Sequence, residues 1–304
     1  MSDEERTYDA AGVSLATADA VVDRLRAAVE STGAAGFGHF AGLFPLDEHR
    51  LLAASTDSVG SKLMLHRRAG TLRWGGMDLA AHCIDDVLCS GAEPLFLLDY
   101  IAAAQIELEQ VAELVEGAAE VCRAAGVALI GGETAELPGI YRDAELDFAG
   151  TCVGLVERDA VIDGSRCAPG DAVVGLPSAG LHTNGFSLVR TLVGDDDFDA
   201  ELLLAPHRLY VDEVRALRAG ADVKALAHVT GSGILGNLSR VLPAGVEARI
   251  DWDSWSRPPV FAWLAERGVA EEELRRVFNL GIGMCAVVPD PPADGVVIGE
   301  LVAA

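Results

Sequence analysis

The chain is poor in lysine and in positive charge generally. Its 304 residues include two lysines, Lys62 and Lys224, among 23 basic residues, against 47 acidic ones, so the formal net charge is −24. A nucleic-acid binder needs a basic surface that releases counterions from the phosphates. A negative field also repels anionic membrane surfaces. The composition therefore argues against nucleic-acid and membrane partners.

Long apolar runs and paired cysteines are absent as well. The longest apolar stretches, such as residues 94–98 and 127–130, fall far short of the roughly 18 to 20 residues of a membrane span. The acidic N-terminus lacks the features of a secretory signal, so we expect a cytoplasmic protein. The six cysteines form no C-x-x-C pair and no zinc-site spacing with histidine. We expect them to be reduced, packed thiols.

What the chain has in abundance is acid and apolar residues. Half of its residues are apolar and 23% are charged, which is typical of a globular protein. Its length favours two domains. The preference for arginine and acid over lysine is explained by a GC-rich genome or by a high-salt cytoplasm, and we keep the second as a hypothesis.

Apolar spacing and turn residues predict alternating helices and strands in both halves, which indicates an α/β fold, of α+β type. A turn-rich stretch, residues 157–171, predicts a hinge between domains 1–160 and 161–304. The predicted helices are 14–30, 76–90, 108–125, 184–192, 206–219, 233–242, 259–267 and 271–277. The predicted strands are 51–55, 93–101, 127–130, 146–156, 172–176, 225–229, 246–251, 282–288 and 296–301.

The first segment that could carry chemistry is the polar stretch 56–62, which we expect at the end of a strand. It contains Asp57, Ser58, Gly60 and Lys62. Backbone amides and Lys62 could hold phosphate, and Asp57 could hold Mg²⁺. The spacing is not that of a Walker A loop. An ordinary capped turn is the alternative.

The second segment is an acidic stripe on the helix 76–90. His82, Asp85 and Asp86 follow Asp78 by four, seven and eight positions. The four residues therefore share one face of the helix. Three acids on one stripe repel each other unless a cation compensates them. One of them could meet Mg²⁺ while another faces a different part of a ligand. The alternative is a solvated acidic face, which the interleaved apolar residues disfavour.

Glycine-rich loops form the remaining candidates. Residues 131–139 place Glu133 after paired glycines, which suit either a close backbone approach to a ligand or a tight turn. Residues 178–187 and 228–233 each follow a strand and open a helix, so their amides could bind an anion. A histidine in such a loop is more often structural than catalytic. The sequence contains no G-x-S-x-G elbow and no zinc motif.

Taken together in chain order, these segments resemble the phosphoribosylformylglycinamidine cyclo-ligases, also called aminoimidazole ribonucleotide synthetases. The resemblance runs from about Tyr8 to Met284. Any one segment is a weak signal, whereas five in the family order are highly specific. The segments are 56–62, 86–100, 131–141, 178–190 and 228–233.

The resemblance implies a two-domain protein whose N-terminal domain, residues 1–160, binds ATP and pairs across a homodimer. Residues 161–304 would complete the substrate cleft. The implied substrate is a small-molecule ribonucleotide, formylglycinamidine ribonucleotide, and the implied cofactors are ATP and Mg²⁺. The implied reaction is ring closure through an iminophosphate, with release of ADP and phosphate.

The resemblance also implies roles for individual residues. Asp57 and Asp86 would bind Mg²⁺, and His182, His228 and Asp86 are the catalytic candidates. The residues implied to contact the nucleotide are Asp57, Ser58, Gly60, Lys62, Asp78, Asp86 and Glu133. Those implied to line the substrate cleft are Thr183, Asn184, Gly185, Thr230, Gly231, Ser232 and Gly233.

This sequence departs from the family pattern at a few positions. Ser58 and Ser232 stand where the family usually has glycine, and Asp85 stands where it usually has asparagine. The early glycine-rich loop, Gly33 to Gly42, is shortened and lacks the usual preceding basic residues. Two alternatives therefore remain. One is another ATP-using member of the superfamily, and the other is a catalytically weakened paralogue that acts as a binding subunit.

Overall fold

The computed structural model describes residues 6–33, 38–143, 145–194, 198–293 and 295–304. Residues 34–37, in the predicted glycine-rich loop, lie outside the described residues. Within these ranges, none of the helices combines the length and the apolar character needed to cross a bilayer.

A five-stranded sheet organises the first half of the chain. Its strands are β1 (Gly42–Pro45), β2 (Arg50–Ser58), β3 (Glu93–Ala103), β4 (Ala128–Glu136) and β5 (Leu146–Glu157). Their order is β1-β2-β5-β3-β4. The β3–β4 pair is parallel and the other pairs are antiparallel. Strand β2 alternates buried and more exposed residues, so Leu51, Ala53 and Ser55 point into the protein.

The central helix of the molecule lies against this sheet. The helices of the first half are α1 (Leu15–Glu30), α2 (Lys62–Ala69), α3 (Leu72–Leu88) and α4 (Leu108–Ala125). Helix α3 contacts β2 and β5 as well as α4. A Cβ atom on Gly76 would lie 1.9 Å from the Leu114 carbonyl oxygen, and one on Gly117 would lie 1.9 Å from that of Arg73. Glycine at both positions lets the α3 and α4 backbones touch.

A second five-stranded sheet organises the rest of the chain. Its strands are β6 (Ala172–Pro177), β7 (Ala225–His228), β8 (Val246–Ile250), β9 (Ile282–Val288) and β10 (Val296–Ala303). They are antiparallel in the order β7-β9-β6-β10-β8. The accompanying helices are α5 (Phe186–Leu192), α6 (Ala200–Leu204), α7 (Val211–Gly220), α8 (Gly233–Ser239), α9 (Pro259–Glu266) and α10 (Glu271–Val277). Two largely antiparallel sheets with helices confirm the predicted α+β class.

The connection between the two sheets contains a short 3₁₀ turn, Arg158–Ala160, and the expected boundary between residues 160 and 161 falls at its end. The N-terminal segment nevertheless packs on the second half of the chain. The Tyr8 amide donates to Glu273 Oε1 at 2.7 Å, and Arg276 pairs with Asp9 at 3.0 Å. This segment therefore belongs spatially with α10 rather than with the first sheet.

The predicted bounds of α4, α10 and β9 are confirmed, whereas the predictions for three other segments are wrong. The strand predicted to end at residue 55 continues through Ser58, because Asp57 pairs in the ladder with Gly150 of β5. The strand predicted to end at residue 130 continues through Glu136, since Gly132 pairs with Asp99 of β3. Of the two interpretations of the paired glycines, the tight turn is therefore wrong. The helix predicted from residue 206 begins at Val211.

Candidate active site

The acidic stripe on α3 is the centre of the site. Its four polar side chains are nearly inaccessible: Asp78 and Asp85 are 0% exposed, His82 is 3% and Asp86 is 7% exposed. The alternative of a solvated acidic face is therefore wrong. Burial of several acids requires partners that donate hydrogen bonds or carry positive charge. Residues from both halves of the chain provide them.

Asp57 and His82 form the first contact of the site. Nε2 of His82 lies 2.9 Å from Asp57 Oδ2. The other ring nitrogen, Nδ1, lies 2.6 Å from Thr183 Oγ1. His82 therefore connects strand β2 of the first sheet to the loop that precedes α5 in the second half of the chain.

Asp86 forms the second contact between the halves. Its Oδ2 accepts a hydrogen bond from Ser55 Oγ at 2.9 Å, and its Oδ1 lies 2.8 Å from Nδ1 of His228. Nε2 of His228 in turn lies 2.9 Å from Nε2 of His207. Nδ1 of His207 lies 3.3 Å from Thr183 Oγ1. The contacts thus close on the threonine that also meets His82.

These contacts form an unbroken chain from Asp86 to Asp57. Four of its five contacts are hydrogen bonds, and three neutral imidazoles with one hydroxyl supply their four hydrogens. The fifth is the ion pair of His82 Nε2 with Asp57. One further proton completes the chain. Burial opposes a charge on His82, but Asp57, Asp86 and Asp85 outweigh burial and raise the pKa of His82 to about 9. The further proton therefore resides on His82 at neutral pH.

The other histidines of the site are neutral. Burial holds the pKa of His182 and of His207 well below the usual value. Burial also lowers the pKa of His228, although Asp86 opposes this effect. Burial would raise the pKa of Asp57, but the charge on His82 outweighs it and the pKa is lowered. The site therefore combines one cationic imidazole with neutral ones.

The raised pKa of His82 predicts a pH-dependent contribution to stability. His82→Asn should destabilise the fold most below about pH 6.5, where the histidine is protonated in both folded and unfolded states. The contribution, on the order of 3 kcal/mol, is lost as the pH rises through about 9. Denaturant unfolding of both proteins between about pH 6 and pH 10 measures the difference. A difference that does not change with pH would contradict the charged state of His82.

Lys62 and Asp78 lie beside this chain of contacts but are bonded to each other. Lys62 is 0% exposed, and its Nζ lies 2.7 Å from Asp78 Oδ2 and 3.2 Å from the Ala205 carbonyl oxygen. Asp78 also meets His66 Nε2 at 2.8 Å and accepts from the His207 amide at 2.8 Å. Lys62 and Asp78 were both expected to contact the nucleotide. In this conformation they point into the protein instead, where the positive charge of one neutralises the negative charge of the other.

The two glycine-rich loops of the second half meet, as the resemblance implies. A Cβ on Gly231 would lie 3.3 Å from Asn184 Oδ1. Gly185 and Gly233 have φ angles of +81° and +63°, which favour glycine. Thr230 donates to Asn237 Oδ1 at 3.0 Å, and Ser232 precedes α8. The substrate-cleft candidates therefore lie at one place.

Ser58, Gly60 and Glu133, which were expected to contact the nucleotide, lie at different distances from the cluster. Ser58 donates its amide to Asp57 Oδ1 at 2.8 Å, so it adjoins the site. Gly60, with a φ of +60°, turns the chain from β2 into α2. Glu133 is exposed on β4, the third strand from β2, and strand spacing alone puts it about 14 Å away. The structure does not bring Glu133 to the cluster, because β4 lies at the sheet edge.

Sequence reasoning missed His207, which contacts both His228 and Thr183. It lies on residues 205–210, where a helix was expected. The His207 and Tyr210 amides instead bond the carboxylates of Asp78 and Asp85, at 2.8 and 3.0 Å. One signal was available in the small number of histidines: the chain has seven, and five of them are buried at or beside α3, namely His66, His82, His182, His207 and His228.

A cavity of about 290 Å³ opens one helical turn beyond Asp86. It lies between the early loop, strands β1 and β2, and the connection to the second sheet. Its surface is largely apolar, and Cys89, which follows α3, is among the residues that line it. The lining residues are Gly33, His39, Phe40, Ala41, Leu43, Pro45, Leu51, Cys89, Ser90, Arg158, Val161, Ile162, Asp163 and Val241.

All six cysteines are free and buried, which confirms the expectation of packed thiols. Burial raises the pKa of Cys83 and of Cys89 well above the usual value. A thiol that stays protonated is a poor nucleophile and a poor metal ligand. The chemistry of the site therefore rests on its acids and imidazoles.

Comparisons with known proteins agree with this arrangement. The model of the AIR synthase related protein N-terminal domain matches residues 38–156, and that of the C-terminal domain matches residues 168–297. AaThiL, solved in complex with AMPPCP and TMP, superposes with a TM-score of 0.69 at 17% identity, covering 93% of this chain and 90% of that one. At that identity the likeness shows the fold alone.

Two curated relatives carry the same name. The phosphoribosylformylglycinamidine cyclo-ligase of Synechococcus sp. (strain CC9605) is 45% identical over 95% of this chain and 90% of the relative. That of Myxococcus xanthus (strain DK1622) is 45% identical over 93% of this chain and 88% of the relative. The resemblance seen in the sequence is thereby confirmed. The chain belongs to the phosphoribosylformylglycinamidine cyclo-ligases, the aminoimidazole ribonucleotide synthetases of purine biosynthesis.

Proposed function

We propose that this chain closes the imidazole ring of its ribonucleotide substrate by an ATP-dependent phosphorylation at the cluster of Asp57, Asp86, His182 and His228. The observation that carries this proposal is the 2.8 Å contact between Asp86 and His228. It joins an acid of α3 to the histidine that ends β7, in a chain of the cyclo-ligase family. The full reaction converts formylglycinamidine ribonucleotide to aminoimidazole ribonucleotide, ADP and phosphate.

The chemistry needs two activations. A formamide oxygen is a poor leaving group, so ATP first phosphorylates it to an iminophosphate. The neighbouring amidine nitrogen then attacks the same carbon, and phosphate leaves as the ring closes. The protein contributes by positioning the groups and by balancing phosphate charge. Protonated His82 provides positive charge beside Asp57 and Asp86 for this purpose.

Ring closure also releases a proton from the attacking nitrogen. His182 and His228 are the candidates to accept it, because burial keeps both imidazoles neutral. The loops 182–185 and 230–233 would hold the ribonucleotide, since their glycines leave backbone amides close together. A general base must be within hydrogen-bond reach of the proton that it removes. His182 belongs to the first of these loops and His228 lies just before the second, so a ribonucleotide held by the loops would lie beside both histidines.

The donor set at Asp57 and Asp86 fits Mg²⁺, which prefers oxygen ligands. Each carboxylate has about four acceptor sites. Asp57 meets His82 and the Ser58 amide, while its side chain remains 34% exposed. It therefore keeps free oxygen positions toward the cleft. When bound, Mg²⁺ would neutralise phosphate charge during transfer.

ATP is proposed as the phosphate donor on two grounds. The fold neighbour AaThiL is described with AMPPCP bound, and the family reaction requires a phosphorylated amide. Lys62 and Asp78 would reach a nucleotide if their mutual contact opened. Their present bonding instead favours a role in holding the site together. Glu133 lies three strands from Asp57, so it would contact a different part of the nucleotide.

The test is ADP release by the purified protein with ATP, Mg²⁺ and formylglycinamidine ribonucleotide. Substrate-dependent ADP release together with an aminoimidazole product is the expected result. The assay is run at low and high salt, because the net charge of −24 fits the hypothesis of a high-salt cytoplasm, under which the enzyme would need salt to be active. ADP release that does not depend on the substrate would contradict the proposal. So would a folded protein that shows no turnover at any salt, and this would favour the weakened paralogue.

We also propose a homodimer formed through the first sheet. Leu98, Tyr100 and Ile130 on β3 and β4 are 39%, 37% and 58% exposed, and a second copy would cover such apolar residues. A mass in solution of twice 31.8 kDa is the expected result of light scattering. A monomer at the concentrations used for turnover would contradict it.

A further inference from the structure

We infer that His182, His207 and His228 form a binding site for a divalent transition-metal ion of the zinc class. One ring nitrogen from each of these buried histidines lies within 4.8 Å of those from the other two. Imidazole nitrogen is a preferred ligand of Zn²⁺ and of its first-row neighbours, whereas Mg²⁺ prefers oxygen. The site therefore differs in chemistry from the proposed Mg²⁺ ligands Asp57 and Asp86.

The outer contacts of two ligands already have the form of a metal site. Metal-binding histidines usually engage their second ring nitrogen with a carboxylate, carbonyl or hydroxyl. Nδ1 of His228 lies 2.8 Å from Asp86 Oδ1, and Nδ1 of His207 lies 3.3 Å from Thr183 Oγ1. Both outer partners leave Nε2 to face inward. The two Nε2 atoms converge on each other at 2.9 Å.

That separation is close to what an ion needs. Zn–N bonds of about 2.0 to 2.1 Å in tetrahedral geometry place neighbouring nitrogens about 3.3 Å apart. The two Nε2 atoms would therefore separate by only a few tenths of an ångström. His207 would change tautomer: in the metal-free chain of contacts its hydrogen is on Nε2, whereas with the ion bound it would be on Nδ1 and be donated to Thr183. Neither of these two histidines would have to lose a proton, because burial keeps both imidazoles neutral.

The third histidine provides an independent observation. Both ring nitrogens of His182 are buried and have no hydrogen-bond partner among the described residues. An unpartnered buried polar group is costly, and a native one calls for an explanation. The ring stacks on His207 with centroids 3.9 Å apart. The ring also packs directly on Gly283, where a Cβ would lie 2.4 Å from His182 Cε1, so glycine at this position makes room for the ring beside His207.

A buried carboxylate faces the same place. Asp85 Oδ2 lies 3.6 Å from His207 Nε2 and, within the part of the chain that the structure describes, accepts no hydrogen bond. Burial raises the pKa of Asp85 well above its usual value, so this carboxyl would release its proton when an ion binds between the imidazoles. Once deprotonated, Asp85 would be the fourth ligand. Three nitrogens and a carboxylate oxygen suit a tetrahedral ion.

A competing set, His82, Asp86 and His228, also brings its donor atoms within 4.8 Å of one another. Nε2 of His82 already lies 2.9 Å from Asp57 and Nδ1 lies 2.6 Å from Thr183, and the raised pKa of His82 keeps both nitrogens protonated at neutral pH. An ion there would displace several contacts. His182 has none to lose, which favours the set that contains it and His207.

The experiment measures metal binding rather than turnover. Full-length protein is freed of metal with a chelator and titrated with Zn²⁺ against a colorimetric competitor, and a parallel sample receives Co²⁺. We expect one Zn²⁺ per chain and the visible spectrum of tetrahedral Co²⁺. His207→Gln should weaken Zn²⁺ binding at least tenfold, whereas His49→Gln, at an exposed histidine of a turn, should leave it unchanged.

Two outcomes would overturn the inference. One is wild-type protein that binds no Zn²⁺, and the other is a folded His207→Gln variant that binds as tightly as wild type. Should His207→Gln fail to fold, His182→Gln replaces it, because this ring makes no hydrogen bond with a described residue. Loss of Zn²⁺ binding in His82→Gln, with binding retained in His182→Gln, would assign the ion to the competing set.

Zn²⁺ at this site would occupy nitrogens that the proposed function uses for proton transfer. Inhibition of turnover by Zn²⁺ is therefore a consequence that rests on the proposed function, whereas the binding measurement does not. A protein that binds Zn²⁺ but does not close the ring would contradict the proposed function alone. A protein that turns over but binds no Zn²⁺ would contradict this inference alone.

Discussion

Asp86→Asn is expected to reduce turnover by about a thousandfold or more while the protein remains folded. The carboxylate accepts from Ser55 and contacts His228 Nδ1. The amide keeps the size of the side chain but removes its charge. It also presents an NH₂ group to one of these partners. Both the proposed Mg²⁺ ligand and the orientation of His228 are lost together. Steady-state kcat and KM, with thermal unfolding on the same samples, measure the effect.

A matched control separates this effect from the loss of one acid in a very acidic protein. Asp212 lies on α7 with a side chain that is 92% exposed, so Asp212→Asn should leave turnover unchanged. Retention of a tenth or more of wild-type turnover by Asp86→Asn would refute the role of Asp86 in catalysis. A proportional loss of activity and of folded protein would reduce that role to stability.

Lys62→Met is expected to destabilise the fold by about 3 to 5 kcal/mol. The change leaves the Asp78 carboxylate buried, with the His66 ring and the His207 amide as its remaining partners. A buried charge that loses its ion-pair partner is strongly destabilising. Because Asp78 also holds the His207 amide, the residues 205–210 should loosen with it. The free energy of unfolding in denaturant gives the magnitude.

Lys224, the other lysine of the chain, provides the control. It pairs with Asp171 at 2.6 Å, but its side chain is 15% exposed, where that of Lys62 is 0%. Water can replace part of the lost contact, so Lys224→Met should destabilise the protein by less. A Lys62→Met protein of wild-type stability whose KM for ATP is raised would instead assign Lys62 to the nucleotide, as the family resemblance implies.

Much of the local structure could be predicted because it follows from short-range rules. Helix α4 has a clear apolar face and ends at Gly126 in the left-handed conformation, a common helix stop. The face shared by Asp78, His82, Asp85 and Asp86 followed from helical periodicity alone. The order of the motifs was sufficient to identify the family.

Other local predictions were wrong because tertiary contacts outweighed local signals. The strand before the paired glycines was expected to end at residue 130, and the glycines themselves suited either a tight turn or a close backbone approach to a ligand. Pairing with β3 instead extends them as a strand, in which Asp99 covers Gly132. Residues 206–210 have no local reason to avoid a helix. The buried carboxylates of Asp78 and Asp85 capture two of their amides.

The sequence by itself determined the residue types of the site, the faces that they share on their own elements, and the family. The tertiary structure decided which of them meet. It paired Asp86 with His228 across 142 positions and directed Lys62 to Asp78. It also placed Glu133 three strands from Asp57 and added His207. Periodicity constrains neighbours within a few residues. Contacts between elements far apart in the chain depend on how the sheets and helices pack, and on the need of each buried charge for a partner.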